Sequence, residues 1–404
     1  MLSRVLRVLG LSLAGIALLV ASGSPPFSTG NASAATPGVY GLSSALGVPA
    51  SPDINVADQI STVLAGLPTP ATVVLEGTYR IDHSIQIMGQ ADLRITGTAQ
   101  TGFVRFAQGT KPSGWPTKKP FYPYLSINDS TNVTLDGFTI RGPLAQPVYN
   151  SALEFAYGVV VLGPSRNILV KGLKIRGVHG DFVMVNEGSR VLPSNITVEN
   201  VYGEVAGRHG ASVSGGDGVL FKSVTFLKSA RSGIDIEPAS PLGSRNVTVL
   251  DSTLKDYTNY CIGAHGNVFN VTVRGTSCVG GRGLGKFGPT LTYPGPDNAG
   301  LILEDVRYDW RGTLSSVTVG GSIIVQRTRN IDIARLNAFF HGGQGSIMGT
   351  GTVSDSVFTS SNAPSGVTAT GANAAVVCLG AGILDISNLG TAPASACGGG
   401  TKKK

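Results

Sequence analysis

The chain has 404 residues, of which 42% are hydrophobic and only 14% charged, with a formal net charge of +7. So little charge beside so much apolar side chain excludes a disordered polyelectrolyte. The 56 glycines follow no three-residue period, which excludes collagen and suits a chain that turns often.

From the N-terminus, Arg4 and Arg7 precede an apolar run from Val8 to Val20, and Ala32-Ser33-Ala34 offers a cleavage site. Residues 1–34 therefore read as a secretory signal peptide, too short in its apolar part to span a membrane comfortably. The mature protein is expected to be secreted and extracellular, with no stable membrane span. Export fits the four cysteines, which fall into two local pairs, Cys261 with Cys278 and Cys378 with Cys397, each predicted to be a disulfide.

Residues 35–70 form a linker and N-terminal cap. The amphipathic stretch from Val56 to Leu67 is predicted to be a helix that hides the open apolar end of a stack of strands. Strands are predicted to begin at Thr72, followed by Gly77-Thr-Tyr-Arg-Ile and Ser84-Ile-Gln-Ile. From there one phrase recurs: Asn132-Val-Thr-Leu-Asp-Gly, Asn167-Ile-Leu-Val-Lys-Gly, Asn195-Ile-Thr-Val-Glu-Asn, and again from Gly218, Asn246, Asn270, Gly300 and Asn330. The gaps of 35, 28, 23, 28, 24, 30 and 30 residues indicate a solenoid. The period-2 alternation within each phrase makes it a solenoid of strands. The strand coils are predicted over 71–345, a looser end of the stack over 346–397, and a basic tail over 398–404. Asn-X-Thr/Ser triplets at Asn128, Asn132, Asn195, Asn246 and Asn270 read as corner residues that bond their counterparts in the next coil, rather than as glycosylation acceptors. Two segments break the rhythm, 107–124 with Trp115, Phe121, Tyr122 and Tyr124, and 280–298 with Phe287 and Tyr293. Insertions in repeat proteins collect on one face, so Trp115 and Tyr122 are candidate sugar-stacking rings.

Gly-Thr-Tyr-Arg-Ile followed by Asn-headed strands on this period resembles the right-handed parallel β-helix of the pectin-lyase-like superfamily over roughly residues 70–345. The resemblance implies an all-β fold, a right-handed parallel β-helix with an N-terminal capping helix. It leaves the activity open among lyases, hydrolases, epimerases and binding proteins.

Between the phrases lies a second strand, in which Val183, Val185, Ala211, Val213, Ile234 and Ile236 should point inward. Met184, Asn186, Ser212, Ser214, Asp235 and Glu237 should point outward. In a chain this poor in charge, the same coils gather His179, Asp181, Glu187, Arg208, His209, Arg231, Asp235, Glu237 and His265. These strands resemble the polygalacturonase group of glycoside hydrolases. Arg208-His209-Gly210 is similar to its Gly-His-Gly element, and His179-Gly180-Asp181 to its Gly-Asp-Asp element, with Gly180 in place of the first carboxylate. Tyr157 stands in place of another carboxylate, and Asp235 and Glu237 replace the cations that hold a uronate. A neutral sugar, or a cationic or Ca²⁺-bridged ligand, therefore fits better than an anionic one.

The expected catalytic residues are Asp181, Asp235, Glu237 and His209, with Asp235 or Glu237 as general acid and Asp181 or the other carboxylate activating water. Asp235 and Glu237 lie about 6.5–7 Å apart at the backbone, and Asp181 lies about 9–10 Å from Asp235, which suits an inverting pair. Substrate-binding roles are expected for Arg208, Arg231, His179, His265, Tyr157, Trp115 and Tyr122. No cofactor and no metal are expected of a hydrolase. A polysaccharide lyase or epimerase, using Ca²⁺ on the carboxylates and an Arg or His base, and a non-catalytic glycan-binding wall protein are the alternatives. The expected partner is a polysaccharide or cell-wall glycan. Nucleic acid is not expected, since Lys and Arg are scattered without a basic helix or an aromatic RNA-binding signature.

Overall fold

A computed structural model describes residues 38–106, 122–188, 191–238, 240–288, 296–310, 323–340, 345–354, 356–360 and 382–386. The signal segment, Trp115, Cys378, Cys397 and the basic tail lie outside the described residues.

The chain winds as a parallel β-helix whose coils each carry three strands. In one coil these are Ser194–Glu199 on a first face, Tyr202–Ala206 on a second and Ala211–Val213 on a third. Each strand pairs in parallel with its equivalent one coil on. The recurring phrase thus spans two faces rather than one strand, and backbone chirality explains where it bends. Asn132, Asn167, Asn195, Asn246, Asn270 and Asn330 all have φ between 53° and 59°. A second left-handed residue follows five positions later, as at Asn200 (φ 53°), Asp251 (48°) and Asp305 (53°). Asn and Asp tolerate this region better than other side-chain-bearing residues, so their recurrence marks the corners.

The corner asparagines form the expected ladder. Asn132 Nδ2 donates to Asp92 Oδ1 at 2.7 Å, Asn167 Nδ2 to Asn132 Oδ1 at 2.9 Å, Asn195 Nδ2 to Asn167 Oδ1 at 3.0 Å and Asn270 Nδ2 to Asn246 Oδ1 at 3.0 Å. Gly218 interrupts the column, and Asp217 beside it accepts from Asn246 Nδ2 at 2.7 Å. These amides are structural. Asn128 stands apart from them, at the end of the third-face strand Leu125–Asn128.

Inside, like stacks on like. Val198, Phe221, Val249, Val273, Leu303 and Ile333 occupy one register column, and none is more than 1% exposed. Each such side chain contributes roughly 1.5–3 kcal/mol by leaving water. The helix Ala57–Ala65 presents Ala57, Ile60 and Leu64 to the N-terminal end of this core. It is fixed there by Ser61 Oγ, which accepts the Gln86 N–H at 3.0 Å. One strand precedes it: Gly38–Gly41 pairs in parallel with Ala71–Val74, so strand structure begins before Thr72. At the other end, Gly382–Ile386 runs antiparallel to Ser356–Ser360. Cys261 and Cys278, both fully buried, are disulfide-bonded across the interior with 5.8 Å between their Cα atoms. The bond is worth on the order of 3 kcal/mol in the loop-entropy account. No helix among the described residues is long and apolar enough to cross a membrane.

Candidate functional site

The third face gathers the ionisable side chains singled out from the sequence. Its inward residues Val183, Val185, Ala211, Val213, Ile234 and Ile236 are fully buried in the core. One outward column runs Ser126, Val160, Met184, Ser212, Asp235, Gly263 and Lys286, partner to partner. An open surface is the simplest expectation for such a column, yet Met184, Ser212 and Asp235 are no more than 4% exposed.

The cover is the segment of residues 142–157, which leaves the second-face strand Thr139–Arg141 and returns into the third-face strand Val159–Leu162. Phe155 and Tyr157, ring centroids 6.2 Å apart and nearly perpendicular, pack with Val160 and Met184 into a small apolar cluster outside the solenoid. Gly180 shows why this segment lies where it does. A Cβ there would stand 2.8 Å from the carbonyl oxygen of Glu154 and 2.9 Å from the carbonyl carbon of Ala156. Backbone of the covering strap thus stands where a side chain at position 180 would project.

Beneath the strap one guanidinium serves several carboxylates. Arg208 Nη1 donates to Asp181 Oδ2 at 3.0 Å and to Ser212 Oγ at 3.2 Å, Nη2 pairs with Glu237 Oε1, and Nε lies 4.0 Å from Glu154 Oε2. Asp181 has no exposed surface. Its Oδ1 accepts the His209 N–H at 2.8 Å, and its Oδ2 accepts from Arg208 and Ser212. Burial pushes the Asp181 carboxyl up, against the opposing pull of Arg208, Ser212 and the His209 N–H. For Arg208 burial acts to lower its pKa, but Asp181, Asp235 and Glu154 outweigh it and hold the guanidinium protonated.

Asp235 lies between two imidazoles. His265 Nε2 is 3.1 Å from Oδ1 and His209 Nε2 3.4 Å from Oδ2. The Ser232 N–H donates to His209 Nδ1 at 3.0 Å, so in the neutral ring the proton sits on Nε2, facing Asp235. Burial opposes ionisation of Asp235, but His209, His265 and Arg208 together hold the carboxyl well below its ordinary range. Burial lowers His209 to about 3, with Arg208, Arg231 and His265 assisting and Asp235 opposing.

His209 consequently folds neutral and must take up a proton to unfold in acid. Its contribution to stability is complete above the unfolded value of 6.5 and is lost as pH falls towards about 3. Thermal unfolding followed by circular dichroism should show stability declining through that window, with a slope of up to about 1.4 kcal/mol per pH unit. His209→Gln should flatten the decline, and an unchanged profile in that variant would contradict the assignment.

His209, Asp235 and Glu237 bring one possible ligand atom each within 4.8 Å of one another. The tautomer speaks against a cation on His209 Nε2, because binding there would move the proton to Nδ1, against the Ser232 N–H. Gly263 completes the arrangement. A Cβ at that position would overlap Asp235 Oδ1 and stand 3.1 Å from His265 Nε2, so the absent side chain is what lets the carboxylate lean towards His265. Gly263→Ala should break the Asp235–His265 contact and lower any activity of the site by about tenfold or more. Histidine side-chain ¹⁵N spectra, in which the His265 Nε2 signal should move most, would check this.

The remaining predicted residues divide. His265 stands at the rim, its side chain 13% exposed. Arg231, partly exposed, lies over the Tyr149 ring at 4.6 Å. Tyr157 is 1% exposed, and burial pushes its hydroxyl up, so it lies inside the strap's apolar cluster rather than facing a ligand. His179 has no described hydrogen bond or ion pair with the cluster. Burial lowers its pKa, as does Arg105. Tyr122, expected as an exposed stacking ring, is buried. Its carbonyl and that of Pro123 accept from the buried Arg105 at 2.8 and 3.3 Å, and Arg105 lies 4.1 Å over the Tyr124 ring. Phe287 is also buried in the core. These rings cover the stack. Ser212 stands in the outward column that the alternation predicts, whereas Tyr149 and Glu154 carry no repeat signal and are brought in by the strap.

A family model described as a right-handed β-helix region matches residues 124–284. The chain is a right-handed parallel β-helix. No curated protein matches the sequence. Among solved structures it is similar to DFA-IIIase from Arthrobacter chlorophenolicus A6 without its lid in complex with GF2, with a TM-score of 0.56 and 12% identity over 83% of this chain and 92% of that one. It is also similar to PfbA, a surface adhesin of Streptococcus pneumoniae, with a TM-score of 0.55 and 10% identity over 83% and 93%. At such identities the likeness is one of fold.

Proposed function

We propose that this β-helix is a secreted glycoside hydrolase whose reacting groups are Asp235 and Glu237 on the third face. The observation that carries the reading is that these two carboxylates, side by side on one strand, are held by different partners. Asp235 is kept ionised between His209 and His265, while Glu237 shares Arg208 with Asp181 and Glu154. Carboxyls in contrasting environments are how such sites separate base from acid. Asp235 is the nucleophile or base, and Glu237, ion-paired with Arg208, is the partner carboxyl that must take up a proton, released from that pair by the substrate, before it can serve as the acid. Asp181, wholly buried with both oxygens engaged, positions Arg208 and the His209 backbone. One oxygen from each of Asp235 and Glu237 falls within 4.8 Å of the other, so both carboxyls can reach one glycosidic bond. Among the fold neighbours, DFA-IIIase, an enzyme by its name, is described with GF2 and with DFA-III bound, and PfbA as a surface adhesin.

The lyase alternative asks Arg208 or His209 to accept a proton. Arg208 is held protonated by its carboxylates, and the His209 ring is buried with Nδ1 already accepting from Ser232. The test is incubation with plant, algal and bacterial-wall polysaccharides followed by mass analysis of the products. Products that have gained water are expected, and their anomeric configuration by NMR assigns the pair as retaining or inverting. Unsaturated products would replace the reading with elimination, and binding without products with an adhesin.

A further inference from the structure

We infer that Tyr149 is a sugar-stacking platform of this site, on which a neutral sugar ring of the substrate lies. The inference rests on the glycan-acting function proposed for the site and adds a binding subsite to it.

The covering strap brings an aromatic ring to the site and holds it in one pose. Arg231 covers one face at 4.6 Å from the centroid, and the Tyr149 hydroxyl donates to Glu154 Oε2 at 2.7 Å. Glu154 in turn stands beside Arg208, so the ring is tied to the guanidinium that serves Asp181 and Glu237. Despite these contacts Tyr149 is 38% exposed, whereas Tyr79, Tyr124, Tyr157, Tyr257 and Tyr308 are fully buried.

An aromatic side chain with its underside and its polar end both fixed has little rotamer freedom left to lose, which favours binding on the remaining surface. The apolar C–H face of a sugar ring gains dispersion contacts and shed water against such a surface. Glu154 on the Tyr149 hydroxyl, and Glu237 on the same Arg208, disfavour an anionic sugar there. The class indicated is therefore a neutral oligosaccharide with one ring on Tyr149 and its neighbour over Glu237.

The experiment compares wild type, Tyr149→Phe and Tyr149→Ala by calorimetric or NMR titration with gluco-, galacto-, manno- and fructo-oligosaccharides, with an oligogalacturonide as the anionic control. Unfolding curves of all three proteins confirm that they are folded. Tyr149→Ala should weaken binding of the neutral ligand by about tenfold or more, and Tyr149→Phe, which keeps the ring on Arg231, by no more than about threefold. With a substrate that is cleaved, the rise in KM in Tyr149→Ala should exceed the fall in kcat. Equal affinity of Tyr149→Ala and wild type would overturn the platform while leaving the hydrolase reading standing. Equal loss in both variants would assign the effect to the hydroxyl and overturn it as well, as would preference for the oligogalacturonide. A wild type that neither binds nor cleaves any neutral oligosaccharide would remove both.

Discussion

Arg208→Ala should destabilise the protein by about 3–5 kcal/mol, the range for removing one partner of a buried ion pair. The loss arises because Asp181 is wholly buried and Glu237 nearly so, and both would be left without their guanidinium. Replacing the whole cluster by apolar residues of similar volume would cost far less, since desolvation of four charges would then disappear with their attraction. The effect should depend on pH in a defined sense. Without Arg208 the carboxyl of Asp181, already pushed up by burial, takes up a proton on folding more readily, so the variant's deficit should shrink as pH is lowered towards 4. Denaturant titrations of wild type and variant at neutral and acidic pH would show this. A deficit below about 1 kcal/mol at neutral pH, the scale of an exposed pair, would mean that the cluster is far better solvated than its geometry implies.

Asp235→Asn and Glu237→Gln should each lower turnover by on the order of 10³-fold, the scale of a lost acid or base group. Their structural consequences should differ. Asparagine at 235 can accept from only one imidazole and turns its NH₂ towards the other, so His209 or His265 must change tautomer or move. Glutamine at 237 keeps an oxygen for Arg208 Nη2. A fall of several degrees in Tm is expected for Asp235→Asn and less for Glu237→Gln. Measured kcat/KM on the substrate found by the polysaccharide panel decides the matter. Full activity in both variants would remove these residues from the chemistry, and loss in one alone would leave that carboxylate acting with a partner other than the proposed one.

The repeat was legible because it is a local property. An Asn or Gly at the head of each phrase, and five positions on a small polar residue or glycine in all but the last, where Arg335 stands, follow from left-handed backbone at two corners per coil, and each corner can be read within its own phrase. Inward and outward faces followed from the same alternation, and Val183, Val213 and Ile236 stand where period 2 puts them. The third strand of each coil was harder to see, because the corner inside the phrase hides the change of face. The candidate site was legible as a set of residues, since strands in register stack Ser212 on Asp235 and Asp235 on Gly263. Its burial was not. The strap of residues 142–157 belongs to no repeat, and nothing at Gly180 itself reveals that strap backbone stands where a side chain would.

By itself the sequence determined the class of fold, the register of the coils and the residues that share the outward column, because strand period and corner chirality act over a few residues. Only the tertiary structure decided that this column is covered and that Asp181 is wholly buried with both oxygens engaged. It also decided that Asp235 lies between two imidazoles and that Tyr149 and Glu154 come to lie beside Arg231 and Arg208. Those features depend on dielectric surroundings and on contacts between segments far apart in the chain, and neither is written in any one repeat.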